Sequence, residues 1–150
     1  MTRHPEGGHF REVYRSVSSV APGDDRVRRA ALTTIYFLLQ SDEHSALHRV
    51  RSDEAWHFYE GDPLHLVWWD AASNVIARCT LGEVGGPGDA RPVAVVPAGW
   101  WQAARTTGAY TLVGCTVGPG FDYADFTLMR EDVQATQALH RLRPELADLL

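Results

Sequence analysis

The chain has 150 residues, of which 45% are hydrophobic and 22% are charged, and its formal net charge is −5 at pH 7. This length suits one domain with a sizeable core, so a single domain over residues 1–150 is expected. The negative charge disfavours a nucleic-acid partner. The sequence has no apolar run of about 18 residues and no signal-peptide pattern, which predicts no membrane association.

Segments in which apolar and polar residues alternate recur along the chain, separated by Gly, Pro, Asp or Asn. The alternation predicts strands at HFREVYRSV (9–17), RAALTTIYFLL (29–39), SALHRV (45–50), EAWHFYEG (54–61), LHLVWWD (64–70), NVIARCTL (74–81), PVAVVP (92–97), QAARTT (102–107) and YTLVGCTV (110–117). Because the connections are short and contain no helix, the series indicates an all-β antiparallel barrel or sandwich spanning about residues 9–127.

The remaining segments have other patterns. DDRVRRA (24–30) is expected to form a solvated loop, because Asp24 and Asp25 neutralise the neighbouring arginines. GEVGGPGDARP (82–92) is interpreted as a flexible loop, since a strand rather than a helix follows it. From Arg130 the spacing becomes helical, and Pro144 is expected to open a second short helix, so the C-terminal helices cover about residues 130–150.

Cys79 and Cys115 each lie in an apolar alternating run without a nearby cysteine partner. This arrangement is typical of buried, reduced thiols. Together with the lack of targeting signals, it predicts a cytoplasmic protein.

Two separated motifs carry a resemblance to a known family. His48 and Glu54 are followed by Gly61, and some forty residues later Pro97-Ala98-Gly99 is followed by Gln102. This layout resembles the cupin superfamily. HPEGGHFREVYRS, TTIYFLL, SALHRVRSDEAWHFYEGDP, VPAGWWQAAR and VGCTVGPGFDYADF are more closely similar to the cupin type 5 family, over nearly the whole chain. The resemblance implies a cupin-type β-barrel (double-stranded β-helix, or jelly roll).

The resemblance also implies where a metal site would lie. The general cupin pattern has three His and one Glu as metal ligands, but this chain has Val50 and Gln102 where two of the histidines belong. His48 and Glu54 remain, and the Gln102 carboxamide is a poorer ligand than imidazole. The expectation is therefore no cofactor, or a divalent metal weakly held by His48, Glu54 and Gln102.

Strand alternation predicts which side chains face the barrel interior. Ala46, His48 and Val50 are expected inside on one strand, as are Glu54, Trp56 and Phe58 on the next, while His57 and Tyr59 face out. His48 is predicted to act as a catalytic base oriented by Glu54, and Gln102 as a hydrogen-bond donor to a substrate. The alternative for His48 is a structural histidine held in the core.

Aromatic residues are numerous, and most are expected to fill the core. One or two at the barrel mouth, among Trp56, Trp100 and Trp101, are candidates for stacking on a ligand. The full set of predicted substrate-binding residues is Tyr36, Trp56, His57, Trp100, Trp101 and Gln102. The N-terminal stretch, with Glu6, Arg11, Glu12 and Arg15 around Gly7-Gly8, is expected to form a wall of the cavity or a subunit interface. A homodimer is predicted by the resemblance.

Three functions fit these features. The first is metal-independent proton transfer, of the isomerase or epimerase type, on a sugar-like or other hydroxy-carbonyl substrate. The second is a non-catalytic module that binds a small polar molecule in the barrel. The third is a metal-dependent lyase or oxygenase with a depleted ligand set. Of these, the sequence favours the first, and the other two are the alternatives.

Overall fold

The computed structural model describes all residues 1–150, about half of them in strands. The strands are β1 Thr2–Arg3, β2 His9–Arg15, β3 Ser19–Val20, β4 Arg29–Ala30, β5 Thr33–Gln40, β6 Ser45–Val50, β7 Asp53–Gly61, β8 Leu64–Asp70, β9 Val75–Leu81, β10 Val93–Val96, β11 Trp101–Thr106, β12 Tyr110–Gly118 and β13 Phe126–Leu128. All nine predicted strands are present, with ends that shift by a few residues.

Two sheets face each other around the core. One has the order β1-β2-β5-β12-β7-β10 and the other β13-β6-β11-β8-β9, and the neighbours in both are antiparallel. The inward side chains, including Phe37, Trp56, Leu66 and Val113, form one buried cluster. The prediction of an all-β, jelly-roll type barrel is confirmed.

The predicted strand over 29–39 is interrupted. Residues 29–30 form β4, which pairs with β3 in a separate two-stranded sheet, and β5 begins at Thr33. The prediction of a solvated loop at residues 24–30 is wrong for Arg26 and Arg29, whose side chains are largely buried. Arg29 donates from Nε and Nη2 to the Asp125 carboxylate at 2.9 and 3.0 Å, and Arg26 donates to Asp125 and Ser52. Because these charges are paired, their burial is tolerated.

The C-terminal segment is helical, as predicted, and covers the outer face of the five-stranded sheet. A 3-10 turn at Met129–Glu131 precedes helix α1 (Val133–Leu142), and a second 3-10 helix spans Pro144–Leu149. Leu139 and Leu146 pack on Trp69 and Trp101 there, so these two tryptophans lie outside the barrel interior. No helix of the structure is long and apolar enough to span a membrane.

A tight turn near the N-terminus closes one end of the barrel. The Gly8 carbonyl accepts from the His4 N–H, the His4 carbonyl accepts from the Gly7 N–H, and the Glu6 carbonyl accepts from the Ala46 N–H at 2.7 Å. Gly7 and Gly8 have φ of 108° and 67°, which glycine adopts without strain. A Cβ on Gly7 would collide with the His44 carbonyl. The glycines thus allow Glu6 to enter the barrel beside β6.

Candidate active site

A cavity of about 280 Å³ lies at the end of the barrel next to the N-terminal turn. Its floor carries ionisable groups and its walls carry aromatic rings. The lining residues are His4, Glu6, Phe10, Glu12, Arg15, Thr33, Ile35, His48, Val50, Glu54, Cys115, Val117, Phe121, Asp122, Tyr123 and Phe126.

His48, on β6, is held in one orientation. Its Nδ1 lies 2.8 Å from the Ala46 carbonyl oxygen, which can only accept, so Nδ1 carries a proton. Its ring stacks on Phe126, with centroids 5.5 Å apart. The His48 side chain lines the cavity although it is only 2% exposed.

Glu6 is the nearest charged neighbour of His48 Nε2. Its Oε2 lies 3.3 Å from His48 Nε2 and 3.1 Å from His4 Nδ1, and its Oε1 accepts from the Ser45 hydroxyl at 2.8 Å. Burial acts to raise the pKa of Glu6, but the positive potential of His48 and the contacts with His4 and Ser45 outweigh it, so the pKa lies below its ordinary value. Glu6 is therefore a buried carboxylate.

Glu54, at the start of β7, has the opposite environment. Its Oε2 accepts from Gln102 Nε2 at 2.6 Å, and Gln102 Oε1 in turn accepts from the Trp56 indole N–H at 2.9 Å. Glu54 lines the cavity, as does the neighbouring Cys115. Burial raises the pKa of Glu54 against the opposing effect of His48, and the charge of Glu6 raises it further.

Two carboxyl groups on one cavity thus have pKa values that are shifted in opposite directions. The pKa of Glu6 is lowered and the pKa of Glu54 is raised. Such a separation of pKa between neighbouring groups is what assigns acid and base roles in enzymes. Burial also raises the pKa of the Cys115 thiol, together with the charges of Glu54 and Glu6, which makes the thiol a poor nucleophile.

The structure brings together some of the residues singled out in the sequence. His48 and Glu54 line the cavity, and Gln102 and Trp56 form a hydrogen-bonded row behind Glu54, away from its surface. No hydrogen bond joins Glu54 to His48, whose orientation comes from Ala46 and Glu6. Gln102 has both ends of its carboxamide bonded within the protein and is fully buried.

The other predicted substrate-binding residues do not line this cavity. Tyr36 contacts Tyr59 on the outer face of the six-stranded sheet, and His57 points away from Trp56 on β7. Trp100 packs against the barrel core from its edge. Trp101 lies under the C-terminal helices, with the Arg49 guanidinium 4.4 Å from its ring centre.

Sequence reasoning did not assign His4, Phe10 or Phe126 to the site, and it gave Glu6 only as part of a wall or interface. These residues surround His48 and form an aromatic cluster about the His4 ring, which lies 4.9 Å from Phe10 and 5.6 Å from Phe126. The only sequence signal was the Gly7-Gly8 pair beside an acidic residue, which indicates a close approach of backbone.

The donor set fits a transition metal poorly. No three His, Cys, Asp or Glu side chains converge as metal ligands. Val50 lines the cavity with an apolar side chain, and the Gln102 oxygen is already committed to the Trp56 N–H. Gln102 turns its N–H and not its oxygen toward Glu54, so it presents no ligand oxygen beside that carboxyl group.

A jelly-roll barrel whose cavity is lined by a histidine and a glutamate on successive strands defines a cupin. The chain belongs to the Cupin superfamily (DUF985), whose family model matches residues 1–129. This confirms the family predicted from the motifs. No curated protein matches the sequence.

Solved structures support the assignment. A protein of Shewanella oneidensis is 32% identical, with a TM-score of 0.81 and coverage of 99% of this chain and 87% of that one. A hypothetical protein from Leishmania major is 33% identical, with a TM-score of 0.78 and coverage of 99% and 89%. A dTDP sugar isomerase from Desulfovibrio desulfuricans is 14% identical over 85% of both chains, with a TM-score of 0.57, and shares the fold.

Proposed function

We propose that the protein binds a small polar molecule in this cavity and catalyses proton transfer without a metal, as an isomerase or epimerase of a sugar-like or other hydroxy-carbonyl compound. The observation that carries the proposal is that His48 and Glu54, a largely buried imidazole and a largely buried carboxyl group, line one cavity. Burying such groups is unfavourable, and proteins retain them mainly where they have a function.

The geometry supports distinct roles for the two groups. His48 Nε2 removes a proton from the carbon next to the substrate carbonyl, and the Glu6 carboxylate at 3.3 Å stabilises the imidazolium that forms. Glu54 in its protonated form donates its proton to the carbonyl oxygen, which yields a neutral enediol. His48 then returns its proton to the former carbonyl carbon while the Glu54 carboxylate takes the hydroxyl proton from the neighbouring carbon, which becomes the new carbonyl, so the isomerised product forms and both groups are restored. Epimerisation follows when the enediol turns over before His48 returns the proton to the original carbon and Glu54 takes back the proton from the original carbonyl oxygen.

Gln102 and Trp56 position the acid in this scheme. The Gln102 N–H holds Glu54 Oε2 as an acceptor, so a proton on Glu54 is carried by Oε1. The Trp56 N–H fixes which end of the Gln102 carboxamide faces Glu54. Gln102 thereby acts through Glu54 rather than on the substrate.

The comparison with the dTDP sugar isomerase supports the proposal only by analogy of fold, because its identity to this chain is 14%. Cupin-fold neighbours also include oxalate decarboxylase from Bacillus subtilis, at 14% identity. The fold therefore houses different reactions, and the argument for proton transfer depends on Glu6, His48 and Glu54.

Solvent exchange tests the proposal. The protein is incubated in deuterated water with dihydroxyacetone, erythrose or ribose, and deuterium at the carbon next to the carbonyl is followed by NMR. His48→Asn should slow exchange by about 10²–10⁴-fold while changing binding by less than about tenfold, roughly 1.4 kcal/mol. His57→Asn, on the outer face of β7, is the matched control and should exchange like the parent.

A ligand that binds equally to the parent and to His48→Asn, with no exchange in either, would contradict catalysis. The non-catalytic binding module would then be the better description of the cavity.

A further inference from the structure

We propose that the cavity selects an uncharged hydroxy-carbonyl compound of about the size of one monosaccharide and rejects its phosphorylated and nucleotide-linked forms. This inference rests on the proposed function and specifies the substrate class of the same site. The geometry behind it is the distribution of charge from the floor of the cavity to its mouth.

Acidic groups outnumber basic ones around the cavity. Glu6 and Glu54 lie at the floor, Glu12 and Asp122 lie at the mouth, and Arg15 is the only lysine or arginine among the lining residues. His4 and His48 both contact the Glu6 carboxylate, so any positive charge on either is directed to Glu6. An anionic ligand would therefore meet carboxylates at both ends of its path.

Arg15 is not free to bind a phosphate. Its Nε and Nη2 donate to the two Glu12 carboxylate oxygens at 3.1 and 2.7 Å, which is a bidentate pair, and its Nη1 donates to the Phe121 carbonyl at 3.2 Å. Asp122 adds a second negative charge nearby. The mouth thus carries two carboxylates for one guanidinium.

No other anion anchor is present at the opening. A phosphate-binding site normally supplies several donors, either a loop of backbone N–H groups at a helix start or unpaired basic side chains. The turn at Tyr123–Asp125 is a single 3-10 turn, and the Asp122 carboxylate accepts from its Ala124 N–H. That N–H is therefore already occupied by a carboxylate.

Size and wall chemistry agree with the charge. About 280 Å³ lies at the lower end of the range for small-molecule sites, which leaves room for a single ring and not for a nucleotide sugar. The walls present Phe10, Phe121, Tyr123 and Phe126, and aromatic faces suit the C–H face of a sugar. The polar groups at the floor then meet its carbonyl and hydroxyl groups.

Matched ligand pairs test this inference. Binding to the intact protein is measured by NMR titration up to about 10 mM ligand. Dihydroxyacetone is compared with dihydroxyacetone phosphate, and erythrose with erythrose phosphate. A fifth ligand, dTDP-glucose, serves as a large anion. The uncharged member of at least one pair should bind at least about tenfold more tightly than its phosphate. The inference would be overturned if the phosphorylated compounds bound as tightly as their uncharged partners or more tightly. It would also be overturned if dTDP-glucose bound in the cavity or if no uncharged ligand bound.

A charge variant separates electrostatics from shape. Glu12→Gln with Asp122→Asn removes the two mouth carboxylates, and Asn still caps the 3-10 turn. The preference for the uncharged member should fall by about tenfold or more. Glu83→Gln with Asp89→Asn changes the net charge equally on an exposed loop outside the cavity, and Asn tolerates the φ of 55° at residue 89. This control should keep the parental preference.

The outcomes also separate this inference from the proposed function. A phosphate that binds tightly and shows exchange dependent on His48 would leave proton transfer standing and refute the charge selection. An uncharged compound that binds selectively but shows no exchange would support the charge selection and contradict proton transfer. If both charge variants alter the preference equally, the effect belongs to net charge and the role of the cavity mouth is refuted.

Discussion

Replacing Glu54 with Gln is expected to make the protein more stable at neutral pH while abolishing exchange. The folded state raises the pKa of Glu54, so folding binds its proton more tightly than the unfolded chain does. Stability is therefore lost as pH rises from the ordinary carboxyl pKa through the raised folded value. Glutamine keeps an acceptor for the Gln102 N–H and cannot ionise, so this loss disappears.

The gain at pH 7 should be about 1.4 kcal/mol for each unit by which the pKa is raised. In a protein of this size, each kcal/mol corresponds to about 2–4 °C in Tm. The assay is urea unfolding followed by tryptophan fluorescence, with five tryptophans as probes, from about pH 4 to pH 8. The difference between variant and parent should grow with pH and then level off.

Glu6→Gln is the matched control of opposite sign. The pKa of Glu6 is lowered, so its ionised form contributes stability above the ordinary carboxyl pKa, and this contribution is lost as pH falls through the folded value. Glutamine at residue 6 should therefore lower the free energy of unfolding at pH 7, and this loss should become smaller as the pH falls. If both substitutions change stability in the same direction at pH 7, the assignment of opposite pKa shifts to Glu6 and Glu54 is refuted.

Three further predictions follow from other parts of the structure. Asp125→Asn should lower Tm by about 5 °C or more, because it leaves Arg26 and Arg29 without their buried partner next to Phe126; a change below about 1 °C would show that the pairing is not stabilising. Protein purified without chelators should contain well under one equivalent of transition metal by elemental analysis, and a stoichiometric metal that is lost in His48→Ala would instead favour the metal-dependent lyase or oxygenase. We also expect a homodimer, for which light scattering should give twice the 16.7 kDa chain mass. Tyr59 and Val95 are exposed on the outer sheet face, and Val95→Asp there should shift the dimer to a monomer. A monomeric parent protein would contradict this prediction.

Much of the site could be predicted from strand alternation. The period of two placed His48 and Val50 on one inner face and Glu54 with Trp56 on the next, and the structure has all four buried. The same period placed Tyr59 outside, where it is 48% exposed. Alternation is clearest on β7, whose outer face is open, whereas the C-terminal helices cover the outer face of β6, so Leu47 is buried there as well.

The rest of the site depends on contacts that no local pattern encodes. Glu6 reaches His48 through an irregular turn, across more than forty residues of sequence, and only the two glycines mark that turn. Gln102 is predicted to donate to a substrate, but its partners in the structure are Glu54 and Trp56, on a strand of the opposite sheet. Which atoms of a buried carboxamide are free is decided by those partners and not by its position in a motif.

The loss of two metal-site histidines and the entry of Glu6 are connected by the geometry. A metal in a cupin barrel would provide positive charge at the floor of the cavity, next to His48 and Glu54. Here Glu6 brings negative charge to within 3.3 Å of His48 Nε2, and its charge also raises the pKa of Glu54. The Gln102 N–H, at the position where the cupin pattern has an imidazole ligand, donates to the Glu54 carboxyl group. Both differences leave His48 and Glu54 on the cavity while a carboxylate and an amide, rather than a cation, set the charge around them.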